Sequence, residues 1–117
     1  TPALAQETCT PPLTPMLRVE FYFGRNIVHH PPIGNREWAR FVTTELTPRF
    51  SGLTMLDAQG VWHDGKRSLR EASKLVIVMA KDGPATGAAI AAVTEAYKQR
   101  FRQTSVGIAT QPVCAAF

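Results

Sequence analysis

Arg18, Glu20 and Tyr22 stand at every second position of one short run, with Leu17, Val19, Phe21 and Phe23 between them. Strict alternation of this kind marks a half-buried strand. It sets a guanidinium, a carboxylate and a phenol side by side on one face. A guanidinium can clamp an anion, and a carboxylate or phenol can carry a proton. A second run, Ser73 to Ala80, begins with Lys74 and has the centre Leu75-Val76-Ile77-Val78-Met79, apolar in both of its alternating sets. A strand apolar on both sides is expected where both sides are covered. We assign Lys74, Val76 and Val78 to the face of Arg18, Glu20 and Tyr22, with Arg70 and Glu71 just upstream. This makes a shallow apolar floor beside two cations.

Three uses of such a floor follow. Two subunits could pack sheet to sheet, with the charged row satisfied across the interface. The floor could instead be a pocket, with Arg18 and Lys74 holding a small anionic ligand and Glu20 or Tyr22 moving protons. Finally, Arg18 and Glu20 could pair with each other beneath a loop, an arrangement that needs further hydrogen bonds to offset desolvation.

Other residues offer less. His29 and His30 are adjacent in a Pro-rich loop and His63 lies elsewhere. Neighbouring histidines on extended backbone point apart, and no Cys or carboxylate stands nearby at ligand spacing, so no metal is expected. No phosphate-binding glycine loop, nucleophile elbow or activated serine is present, and no cofactor is implied. RNA-binding domains that share this segment order place aromatics and glycines on the third strand. Here that strand reads SKLVIVMA, which argues against nucleic acid.

The elements that must position these groups run strand, helix, strand, strand, helix, strand. The first strand spans Leu17–Phe23. A loop over 25–34 is punctuated by Pro31-Pro32, and Asn35 is placed to cap a helix carrying Trp38, Phe41, Val42 and Leu46, ended by Pro48. An extended segment restarts at Leu53, bends at Gly60 and meets a hairpin turn at Asp64-Gly65. The return strand covers Arg67–Glu71 and continues to Ala80. Pro84 opens a second helix with the stripe Ile90, Val93, Tyr97 and Phe101. The last strand is expected over Ser105–Gln111, with Val106 and Ile108 inward and Gly107 and Ala109 outward. This order predicts an α+β, ferredoxin-like split β-α-β sandwich (βαββαβ), with sheet order 4-1-3-2 and two helices on one face. Residues 16–117 would form that single domain, and 1–15 a Pro-rich lead-in.

The composition, 44% hydrophobic and 19% charged over 117 residues, is that of a globular domain. No apolar run approaches the ~20 residues that span a bilayer, so no membrane partner is expected. The net charge of +4 is uneven, with eight of the thirteen basic residues after position 58. A partner recognised through the basic 66–74 hairpin is therefore conceivable, but no motif supports it. Ala3-Leu4-Ala5 before Gln6 has the small-x-small form of a signal-peptidase site, and residues 1–15 are read as its remnant plus the lead-in. A periplasmic or secreted protein is expected. In that compartment Cys9 and Cys114, the two cysteines, should form a bridge.

Several blocks together carry a family resemblance. They are Arg18 with EFYFG at 20–24, Trp38, TPRF at 47–50 with GLT at 52–54, and Gly60 with Trp62. RE at 70–71 with SK at 73–74, AYKQRF at 96–101 with Ser105-Val106, and VC at 113–114 complete the set. The chain resembles the bacterial domain of unknown function family 3574 from Arg18 to Phe117. The resemblance implies a small exported bacterial protein, and the family brings no established activity. Its polar blocks include Arg18, Glu20, Arg70, Glu71, Ser73 and Lys74. The expectation is an exported α+β module that binds a ligand or self-associates through its helix-free sheet face, the alternative being a cofactor-independent enzyme acting there on a small anionic substrate.

Overall fold

The computed structural model describes residues 8–117; the small-x-small site at Ala3-Leu4-Ala5 lies outside them. The elements are β1 (Thr14–Gly24), α1 (Asn35–Phe41), β2 (Thr54–His63), β3 (Ser68–Ala80), α2 (Pro84–Phe101) and β4 (Gly107–Ala115). All strand pairs are antiparallel, and the sheet order is β2-β3-β1-β4, the expected 4-1-3-2 read from the other edge.

The core forms because β1 offers Val19, Phe21 and Phe23 to the helices and all three are fully buried. Trp38 and Phe41 of α1 and Val93, Tyr97 and Phe101 of α2 meet them in one cluster. The Phe23 ring lies 4.5 Å from that of Tyr97 and 5.4 Å from that of Trp38. Tilted ring pairs at such distances add to the gain from burial alone.

The β3 side of this cluster corrects the expectation for its faces. Val19 stands across from Val78, Phe21 from Val76, and Phe23 from Lys74. Residues directly opposite in an antiparallel pair share a face. Val76 and Val78 therefore belong to the buried helix side, and Lys74 goes with them. The outward set is Leu75, Ile77 and Met79, across from Tyr22, Glu20 and Arg18.

Helix α1 starts one residue earlier than expected. Gly34 is its N-cap, its N–H donates to Glu37 Oε1 at 3.0 Å, and Asn35 Oδ1 instead accepts from Arg25. Beyond Phe41 the helix widens into one π turn over Val42–Leu46, with Thr47 N–H bonded to the Val42 carbonyl. The hydroxyls of Thr43 and Thr44 both donate to the Arg40 carbonyl. Side chains that compete in this way for a helix carbonyl disturb regular α-helical bonding.

At the hairpin, Asp64 Oδ1 accepts the N–H groups of Lys66 and Arg67, and Gly65 supplies the φ of 88° that the turn requires. The outer ends of β2 and β3 project past the helices as a two-stranded arm. The Cα radius of gyration, 16.1 Å, accordingly exceeds the roughly 13 Å of a spherical domain this long. β4 extends further than expected, to Ala115, and Pro112 is tolerated because β4 is an edge strand. Cys9 and Cys114 form a disulfide that ties the lead-in to this edge.

Candidate functional site

The helix-free face is built from the alternate residues of all four strands. Strand β1 supplies Arg18, Glu20 and Tyr22; β3 supplies Leu75, Ile77 and Met79. From β2 comes Leu56, across from Leu75, and from β4 come Gly107 and Ala109, across from Tyr22 and Glu20. Leu75, Ile77 and Met79 are half-buried by their neighbours alone, and Leu56 and Tyr22 are exposed. Along the arm the same face carries Trp62 opposite Leu69, and Trp62 is 66% exposed.

Within this apolar surface the three polar side chains of β1 form a closed hydrogen-bonded row. Arg18 Nε donates to Glu20 Oε2 at 2.8 Å, and the Tyr22 hydroxyl donates to Glu20 Oε1 at 2.5 Å. Each oxygen of the carboxylate thus has a donor. The Tyr22 bond, with help from Arg18, holds the Glu20 carboxyl below its ordinary pKa. The same bond raises that of Tyr22, because a phenolate would face the carboxylate. The row is a carboxylate kept ionised, a phenol kept protonated and a guanidinium beside them. It can donate through Arg18 and accept at Glu20, and it has no net charge.

Of the residues singled out from the sequence, the structure brings together Arg18, Glu20 and Tyr22. Lys74 is elsewhere. It lies on the helix side, 12% exposed, ion-paired with Asp57 and 5.9 Å from the centre of the Trp38 ring. A clamp made of Arg18 and Lys74 is therefore excluded by the pleat. Arg70 shares the Lys74 side and is exposed on the arm, across from Val61. Glu71 points to the outward side but turns along the strand: Oε2 accepts the Asn26 N–H at 3.2 Å. Its carboxylate fills the space that a Cβ on Gly24 would need, 2.5 Å away. Glu71 thus secures the exit of β1.

The histidines do not converge. His63 Nδ1 meets Ser68 Oγ on the arm, and His30 Nε2 accepts from Arg102 at the end of α2. Among the described residues no three His, Cys, Asp or Glu side chains gather as a metal site. No helix among them is long and apolar enough to cross a membrane.

Sequence reasoning missed two features. One is Leu56 and Trp62 as parts of the outward surface, a signal present in the parity of β2. The other is a ring of arginines around the α1–α2 groove, dispersed along the chain at 36, 40, 100 and 102.

Among solved structures the fold is shared with a phage SAM lyase in complex with S-methyl-5'-thioadenosine, at TM-score 0.63 and 14% identity over 86% of this chain and 90% of that one. The same lyase in its apo state gives a TM-score of 0.64 at 15% identity, covering 87% and 86%. CutA1 from Oryza sativa gives 0.59 at 11% identity, covering 90% and 85%. At these identities the likeness is one of fold alone. No curated protein matches the chain. A family model described as protein of unknown function (DUF3574) matches residues 18–117, and the chain belongs to that family.

Proposed function

We propose that this chain is an exported, self-associating module, and that a second copy covers the helix-free face of its sheet. The observation that carries the reading is an exposed apolar patch set beside a charge-neutral polar row. Leu56, Leu75, Ile77 and Met79 lie along one side of Arg18, Glu20 and Tyr22, while Leu69 and Trp62 form a second apolar spot on the arm, beyond Ser73 and Glu71. A two-fold interface must be self-complementary, each residue meeting its counterpart's partner. A row holding both a guanidinium and a carboxylate meets that condition without setting like charges against each other. The Cys9–Cys114 bridge supports an oxidising compartment.

The test is mass in solution by light scattering across a range of concentrations, for the wild type and for Ile77→Asp. A multiple of 12.8 kDa for the wild type and a folded monomer for Ile77→Asp are expected. A wild-type monomer at every concentration would sink the reading.

A second reading treats the same face as the site of a cofactor-independent enzyme. The version with an anionic substrate loses its second cation, since Lys74 is on the opposite side. What supports an enzyme is the hydrogen-bonded Glu20–Tyr22 pair beside an apolar patch and the fold shared with a lyase seen in complex with S-methyl-5'-thioadenosine. S-adenosylmethionine carries a sulfonium cation and is the substrate to try. Its disappearance on incubation, abolished by Glu20→Gln, would favour this reading over the first.

A further inference from the structure

We propose that the groove between α1 and the C-terminal end of α2 binds a small phosphate-bearing anion. Two adjoining cavities of about 260 and 470 Å³ share Ile27, Glu37, Arg100 and Phe101 in their walls. Arg36 and Arg40 line the larger, and His30 and Arg102 the smaller. Together they fall in the size range of small-molecule sites. Four guanidiniums thus surround one groove with an apolar floor, on the helix side and away from the Arg18 row.

Only part of that charge is answered. The Glu37 carboxylate accepts the Gly34 N–H, and Glu45 lies 3.6 Å from Arg100 while also pairing with Arg49. Thr44 Oγ1 and the face of Phe41, 5.6 Å away, further fix Arg100 in place. Arg102 is held by donating to His30 Nε2 at 2.8 Å. Arg36 and Arg40 have no hydrogen bond or ion pair from their side chains among the described residues. Two positioned arginines therefore face two unpaired ones. Guanidiniums recognise phosphate oxygens through paired N–H donors, and several can share one phosphate group.

Two local choices work against the fold and point to the same groove. Like charges at i and i+4, as at Arg36 and Arg40, weaken a helix. Arg102 takes the left-handed conformation (φ 54°) that closes α2, a position normally given to glycine. Residues held against local preference concentrate at functional sites.

The experiment is calorimetric titration with inorganic pyrophosphate at fixed ionic strength. Saturable binding to the wild type is expected, weakened at least ten-fold by Arg36→Ala/Arg40→Ala and less than two-fold by Lys66→Ala/Arg67→Ala, which removes the same charge from the arm. Arg102→Gly should weaken binding without lowering Tm, because glycine suits the left-handed position; a purely structural arginine would show the reverse. The proposal is overturned by no saturable heat at millimolar pyrophosphate, by equal losses in both double variants, or by tighter binding of citrate than of pyrophosphate.

Discussion

The hydroxyl of Tyr97 donates a 2.6 Å hydrogen bond to the carbonyl of Gly24, joining α2 to the end of β1 across 73 residues of sequence. The Tyr97 ring is fully buried among Phe23, Trp38, Phe41 and Phe101. Removing only the hydroxyl keeps that packing and leaves the Gly24 carbonyl short of a partner. Tyr97→Phe is expected to cost about 1–2 kcal/mol, a fall in Tm of about 4–10 °C by thermal unfolding. An unchanged Tm would show that water replaces the phenol at no cost.

The bridge between Cys9 and Cys114 closes a loop of 105 residues. In the chain-entropy view a loop of about 100 residues gives up to roughly 4.7 kcal/mol by restricting the unfolded chain. Reduction, or Cys9→Ser with Cys114→Ser, should lower Tm by about 10 °C or more. Alkylation should add mass only after reductant. Alkylation without reductant would refute the bridge.

What the sequence could and could not reveal follows from its alternation. In β1 one alternating set is Val, Phe, Phe and the other Arg, Glu, Tyr, so a single orientation is tenable, and the structure has it. In β3 both sets are aliphatic, and Lys74 looks like a marker of the outward side. It is not, because Asp57 stands opposite it and neutralises it at the sheet margin. The register that decides the matter is set by the Asp64 turn and by pairing to β1, neither of which is a property of β3 alone. The helix order, the hairpin turn and the two outward small residues of β4, Gly107 and Ala109, were legible because each has a local cause. The π turn and the arginine groove were not, since both depend on side chains brought together by folding.

The two tyrosines give the row on β1 a spectroscopic handle, as the chain contains no others. Tyr22 is raised by its bond to Glu20, and Tyr97 is raised chiefly by burial. Both phenols keep their protons to higher pH in the folded chain than in the unfolded one. Their contribution to stability is therefore whole below about pH 10 and declines as pH rises further. Glu20 works in the opposite sense: its contribution is present above the ordinary carboxylate pKa of 4.5 and is lost as pH falls through the lowered folded value. Ultraviolet titration of tyrosinate should show both transitions displaced upward. In Glu20→Gln the Tyr22 transition should return toward the ordinary 10.0 while that of Tyr97 stays put. A Tyr22 transition indifferent to Glu20→Gln would mean that the row does not persist in solution.

Val76 and Ile77 are neighbours in sequence on opposite faces of β3, and they separate folding from association. Val76 is fully buried against Phe21 within one chain, so Val76→Ala should cost about 2 kcal/mol at any protein concentration. Ile77 is only half-buried by its own chain, next to Glu20 and Thr54. If a second copy completes its burial, association stabilises the folded state by mass action and the wild-type Tm rises with concentration. Ile77→Ala should then lose little against the wild type in dilute solution and progressively more as concentration increases. Differential scanning fluorimetry over a hundred-fold range of concentration reads both effects. A wild-type Tm flat across that range, with Ile77→Ala running parallel to it, would leave the outward face without a partner of its own kind.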